Sequence, residues 1–289
     1  MRGPKATSIV VRKPNGEMEL TMDDTVPISS KSKWFRMPLI RGVIGLVDSL
    51  RLGTNALMYS ASFYEEEEES EEKGWFDKLF GDKADKIFEG LALVFSFALA
   101  MLLFFFIPTI VTSLFKTWID NTIALNLVEG IFRIAIFLIY IVLVSRLEDM
   151  RRVFMYHGAE HKTIYCYEKG LELTVENVRK QSRMHPRCGT SFLFSVMLIS
   201  IVVLSFFGWP NPLVRVLTRL ALLPVIMGIA YEVNRILGRS SGPVARVMTY
   251  PGLFIQKIAT VMEPDDDQIE VAIMALKAVI PEDPELDKW

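Results

Sequence analysis

The sequence predicts a mainly α-helical polytopic membrane protein with four transmembrane helices, amphipathic interfacial helices and a small N-terminal β-hairpin. Three observations carry this. Apolar residues make up 51% of the 289, and mean hydropathy is positive at +0.30. Four long apolar runs hold most of that hydrophobicity, and the first of them, 91–115, contains no charged residue over 25 positions, enough to cross a hydrocarbon core about 30 Å thick. Lysine and arginine crowd instead into 146–184, as a cytoplasmic segment between two pairs of spans requires.

Residues 1–37 start with the β-rich run Thr7-Ser8-Ile9-Val10-Val11-Arg12-Lys13. Pro14-Asn15-Gly16 reads as a turn, and Glu17-Met18-Glu19-Leu20 alternates. Together they spell a hairpin, which is too small to stand without another surface to pack on. No hydrophobic signal segment precedes it, so the start is expected to stay on the side where it is made. Residues 31–36 are basic and carry Trp34 and Phe35, an interfacial anchor. Residues 38–64 repeat apolar positions at helical spacing with Arg41, Asp48 and Arg51 on the remaining surface. Those charges predict a helix lying at the interface rather than crossing it, with a soluble helix docked on the domain as the alternative. Residues 65–88 form an acidic linker: Glu65 to Glu69, Glu71 and Glu72 repel one another and favour a solvated loop, without the spaced ligands of a calcium loop.

The first transmembrane pair occupies 89–145. Pro108 can kink the first span, 116–121 connects, and 123–145 returns. Glu129 and Arg133, four apart, are expected to satisfy each other or to face a polar interior. Gly42, Gly90 and Gly130 each stand where a hydrophobic helix begins, and glycine there permits close helix approach. In 146–189 one helix over 152–167 should end before Lys169-Gly170, and a second, with Thr174 as N-cap, should end near His185-Pro186. The second pair occupies 190–237: an uncharged span over 190–209, the turn Pro210-Asn211-Pro212, and a span over 213–236. The external turns then hold Lys116 and Asp120 on one side and little more than Arg215 on the other. Residues 238–289 form an amphipathic cytoplasmic tail, with a polar loop over 260–268 and a terminal helix over 269–279 turning Val271, Ala272, Met274 and Ala275 toward the fold. Four spans with these charges place the chain in the cell membrane, multi-pass, with both termini cytoplasmic and membrane lipid as its first partner.

The three histidines all fall between positions 157 and 185. In His157-Gly158-Ala159-Glu160-His161 two imidazoles lie one helical turn apart on one face, where both can reach one ion. The string reads H-x-x-E-H, the mirrored order of the metalloprotease helix, with a carboxylate placed to activate water. His185-Pro186-Arg187-Cys188 offers one or two further ligands. A zinc site on His157, His161, His185 and Cys188 is therefore expected, with hydrogen-bonded histidines in a structural network as the alternative. Four protein ligands would make the site structural; three would leave it open. Cys166, in an apolar run, reads as a packing residue, and two cysteines give no disulfide framework. A net charge of -2 without an arginine-rich face excludes a nucleic-acid partner.

His157-Gly158-Ala159-Glu160-His161-Lys162-Thr163, Met184-His185-Pro186-Arg187-Cys188-Gly189-Thr190-Ser191-Phe192, Tyr250-Pro251-Gly252-Leu253 and the run from Glu263-Pro264-Asp265 through Ile269-Glu270-Val271-Ala272 resemble the bacterial YqhQ-type membrane proteins, a family filed under a domain of unknown function. The likeness covers nearly the whole chain and strengthens the membrane placement. Members of that family typically open with a glycine-rich stretch ending in Met-Met-Arg-Gly, so the start at Met1-Arg2-Gly3 is expected to be either truncated or assigned to an internal methionine. The family supplies no reaction.

Three functions fit these residues. In the first, a metal-dependent hydrolase works at the cytoplasmic membrane surface on a membrane-protein or lipid-linked substrate: His157, His161 and either His185 or Cys188 hold zinc, Glu160 is the general base, and Arg187 stabilises developing negative charge. The second is a zinc-stabilised membrane scaffold or membrane-protein assembly factor. The third is a transporter using Glu129, Arg133, Arg219 and Glu232, in which four spans per chain would call for a homo-oligomer to enclose a pathway.

Overall fold

A computed structural model describes residues 1–4, 6–23, 27, 28, 31–63, 84–240 and 242–281. The acidic block 65–72 and the linker up to residue 83 lie outside the described residues. In chain order the elements are β1 (Thr7–Arg12), β2 (Met18–Asp23), α1 (Ile40–Ala61), α2 (Ala84–Met101), a π-helical turn (Leu102–Phe106), α3 (Ile107–Ser113), α4 (Thr122–Val144), α5 (Glu148–Glu168), α6 (Val175–Arg179), α7 (Gly189–Ser205), α8 (Pro212–Gly238), α9 (Pro243–Ile255), a second π-helical turn (Gln256–Thr260) and α10 (Asp266–Val279). They sort into a polar head and an apolar bundle.

In the head, β1 and β2 pair antiparallel with Thr7 opposite Asp23 and Arg12 opposite Met18, across a turn in which Gly16 takes φ +85°. The surface the hairpin needs is the C-terminal helix. Ser8 Oγ donates to Ala275 O at 2.7 Å, and Arg12 pairs with Glu270 at 2.8 Å. Helix α10 starts on a capping box: Asp265 Oδ1 accepts from Gln268 N at 2.8 Å, and Gln268 Oε1 accepts from Asp265 N at 3.1 Å. Asp266 and Asp267 in its first turn complement the helix dipole. The expected polar loop is therefore shorter than 260–268, because the π-helical turn and α10 take its two ends. Ala159 and Cys166 of α5, Val178 of α6, and Ile269, Ala272 and Ile273 of α10 close one apolar core, and Cys166 packs there as a buried apolar residue.

In the bundle, three stretches among the described residues are long and apolar enough to cross a membrane: Gly90–Ser113, Thr122–Val144 and Pro212–Gly238. Helix α7 is uncharged but has only 17 residues, about 25 Å at 1.5 Å per residue. It stops at Ser205, four residues short of the expected end of the third span. The π-helical turn just before Pro108 accommodates the proline that sequence places inside the first span. Leu93, Val94, Phe95 and Phe97 face outward, two-thirds or more exposed, as a lipid-facing surface requires. Helix α4 meets α7 at Gly130, where a Cβ would lie 2.3 Å from Ile201 Cγ1, and α1 sits on α8 at Gly42, where a Cβ would lie 2.6 Å from Tyr231 Cβ. Gly90, by contrast, approaches nothing within 4 Å.

The bundle encloses charge. Glu129 is 1% exposed. It accepts from Thr109 Oγ1 at 3.0 Å and Arg133 Nη2 at 3.1 Å, and is ion-paired with Arg215 and Arg219. The four-residue Glu129–Arg133 pairing is present, but Arg215 does not stay in the external turn where sequence puts it. It is buried against the same carboxylate.

Candidate metal centre

Helix α5 carries the scarce side chains. Glu148 and Asp149 stabilise its start, and the chain turns at Gly170 with φ +64° just beyond its end. His157 and His161 project one turn apart, their rings 4.4 Å apart. The backbone dictates how both rings are turned. His157 Nδ1 lies 2.9 Å from Thr260 O, and His161 Nδ1 lies 2.6 Å from Arg183 O. A carbonyl only accepts, so each Nδ1 carries a proton and each Nε2 is left for another partner.

That partner is Cys188, which stands at the N-cap of α7. Its Sγ is 3.2 Å from His157 Nε2 and accepts from Thr190 Oγ1 at 3.4 Å. One ligand atom from each of His157, His161 and Cys188 lies within 4.8 Å of the others, and among the described residues this is the one group with metal-holding geometry. Burial alone pushes the Cys188 thiol up; hydrogen bonds from His157 and His161 outweigh it and bring the group down to about 5. Burial likewise pulls His157 down, and its contacts with Cys188 reverse this to a net rise. These contacts favour the thiolate over the thiol, and the thiolate is the form that ligates a metal.

Gly158 explains how a distant segment reaches this helix. A Cβ there would lie 2.0 Å from Met262 O, so the extended stretch after the second π-helical turn crosses α5 in direct backbone contact. Met262 N donates to Phe154 O at 2.9 Å, and Thr260 is thereby set against His157. Glycine inside a helix costs about 1 kcal/mol relative to alanine, which this crossing offsets. Lys162 and Arg183 hold the same stretch from either side: Lys162 is buried, donates to Arg179 O at 2.9 Å and pairs with Glu263, while Arg183 Nη1 donates to Val261 O at 2.7 Å.

His185 belongs to a neighbouring polar group. Its Nδ1 accepts from Arg187 N at 3.3 Å, its Nε2 lies 3.4 Å from Glu168 Oε2, and burial pulls its protonation down. Its ring centroid is 5.7 Å from that of His161. Gln256 clamps its backbone on both sides, accepting from His185 N at 2.8 Å and donating to His185 O at 2.9 Å. Arg187 Nη2 donates to the same Glu168 at 2.7 Å. Glu160 is half-buried and acts on His157 through charge. The structure therefore brings together His157, His161 and Cys188, keeps Glu160 within electrostatic reach, and groups His185 and Arg187 around Glu168.

Sequence reading missed Glu168, Gln256, and the carbonyls of Thr260 and Arg183. Gly158 was a usable signal, because a glycine between two histidines of a helix implies that backbone passes over it. For Gln256 no local signal exists.

The match to the family model described as "Protein of unknown function (DUF1385)" covers residues 37–282. The chain is 33% identical over 254 residues to "Uncharacterized protein YqhQ" of Bacillus subtilis (strain 168), covering 85% of this chain and 77% of that protein. No solved structure matches. With the family model spanning most of the chain and a relative at this identity, the chain belongs to the DUF1385 family of YqhQ-type proteins.

Proposed function

We propose that the chain is a zinc-dependent hydrolase of the bacterial membrane surface, with His157, His161 and Cys188 as the ligands. The observation that carries this reading is the pair of Nδ1–H contacts to backbone carbonyls, which turn both Nε2 atoms toward one sulfur. Metal-bound histidines have this outer support, and two imidazoles with a thiolate suit zinc. Three protein donors leave the fourth position for water or substrate. Zinc there would lower the pKa of a water and polarise the bond under attack. With zinc bound, Glu160 would serve as the general base that takes the proton of the attacking water and hands it to the leaving group. Arg187, held by Glu168, positions His185 and the turn before Cys188.

The substrate reaches this site from the membrane surface. Helix α9 leads directly into the Thr260 segment and exposes Val244, Val247, Tyr250 and Phe254 at the spacing of one helix face, as an interfacial helix does. A membrane-protein segment or a lipid-linked compound is the substrate class this favours. The same reading has four spans, with α7 as the third and the head on the cytoplasmic side. A cysteine at Asp120 should accept an impermeant thiol reagent in intact cells, and one at Glu172 should not, relative to the parent chain. Labelling at Glu172 from outside reverses the topology.

The scaffold reading is favoured by one observation: the site draws in α5, the Arg183 loop, the start of α7 and Thr260, so an ion there would lock the head to the bundle. Glu160→Gln separates the two. The protein, reconstituted with membrane extract in ¹⁸O-water, should introduce ¹⁸O into product acids, and the variant should keep zinc while losing at least about a hundredfold of that rate. Equal incorporation by the variant, or none above the protein-free control, removes the hydrolase.

A further inference from the structure

The far end of the bundle from the cysteine carries more positive charge than its own residues neutralise. Arg133, Arg215 and Arg219 all pair with Glu129, and among the described residues these arginines have no other carboxylate partner. Three guanidinium groups against one carboxylate leave two charges uncompensated, with Arg215 and Arg219 each about 5% exposed or less. Neutral acceptors take part of the donor excess: Arg219 Nη1 donates to Thr109 Oγ1 at 2.7 Å, and Arg133 Nε to Phe104 O at 3.1 Å. Arg215 lies over the Trp209 ring. Hydroxyls, carbonyls and rings share protons but cancel no charge, and uncompensated charge among apolar helices is strongly disfavoured.

Beside these groups lies a cavity of about 100 Å³ bordered by Asn126, Phe207, Arg215, Thr218 and Arg219. Its size is roughly that of three waters, space for a tetrahedral oxyanion. The N-terminus of α8, capped by Asn211, adds the positive end of a 27-residue helix dipole. Planar guanidinium forks match phosphate oxygens in pairs.

We propose that this cavity binds a phosphate-type oxyanion, held by Arg215 and Arg219 with Asn126 as a neutral donor. Two sources supply that chemistry, inorganic phosphate and the phosphodiester of an anionic lipid whose headgroup enters beside Phe207. The site is independent of the zinc reading.

The test uses the full chain in nanodiscs made of phosphatidylcholine alone or with phosphatidylglycerol, in phosphate-free buffer. Calorimetric titration with inorganic phosphate reads the free anion, and native mass spectrometry of the ejected protein reads retained phosphatidylglycerol. Saturable phosphate binding, or retention of phosphatidylglycerol over phosphatidylcholine, supports the site and identifies the source. Arg215→Gln should weaken whichever is bound by at least about tenfold. Because that variant also touches the buried ion pairs, Asn126→Ala serves as the second. It lines the cavity without a charge, its Nδ2 donating to Phe207 O at 3.3 Å, and should weaken binding severalfold while leaving the ion pairs around Glu129 in place. Absence of both ligands in the parent chain, or affinity unchanged in both variants, overturns the proposal.

Discussion

Replacing His157 and His161 together by alanine is expected to leave the purified protein without stoichiometric zinc, while His185→Ala keeps one zinc per chain. The contrast follows from what each ring nitrogen already touches. His157 and His161 use Nδ1 on carbonyls and present Nε2 to Cys188, the third ligand atom of the group; His185 uses both nitrogens within its own group. Whole-site zinc affinities run to roughly 10–16 kcal/mol, so each of three ligands carries about 3–5 kcal/mol, and removing two should weaken binding by more than about ten-thousandfold. Cys188→Ser should cost at least a hundredfold on the same scale. Elemental analysis after metal stripping and reconstitution reads all of these, with circular dichroism confirming that α5 still folds. Zinc retained by the double variant would place the ion elsewhere, and zinc lost from His185→Ala would restore the four-ligand, closed site.

Much of the architecture was legible because it rests on local signals. The hairpin, the apolar runs, the Thr174 cap and the terminal helix each follow from patterning within a few residues, and Thr174 Oγ1 does accept from Asn177 N at 3.3 Å. The expected extension of the second head helix to His185 failed for a tertiary reason. Helix α6 ends at Arg179, and the following turn is held open by Arg183 reaching Val261 and by Gln256 gripping His185. Those partners lie more than 70 residues away. Spacing within α5 placed two imidazoles on one face, but the choice between His185 and Cys188 as their companion depends on where α7 begins relative to α5. Arg215 shows the same limit in the bundle. At the outer end of the fourth span it reads as a charge at the external edge, and only helix packing turns it onto Glu129.

Removing the Glu129 carboxylate should destabilise the bundle more than any other single change to its charges. Glu129→Ala leaves Arg133, Arg215 and Arg219 facing one another without a counter-charge, and breaking a buried pair by deleting one partner costs about 3–5 kcal/mol. In phosphate-free detergent, that corresponds to a fall in unfolding temperature of roughly 10 °C. Arg41 and Glu232 provide the comparison, since they make the same kind of pair at 2.6 Å with side chains 25% and 23% exposed. Water screens that pair, and Glu232→Ala should cost at most about 1 kcal/mol. The cause can be isolated with a second substitution. If the loss in Glu129→Ala comes from stranded charge, adding Arg215→Leu should recover part of it, because the second change removes one of the repelling groups. If the loss comes from the cavity left by the shorter side chain, the two penalties should add. Additive penalties, or equal cost at Glu129 and Glu232, would mean that the buried guanidinium groups do not depend on Glu129 for their neutralisation.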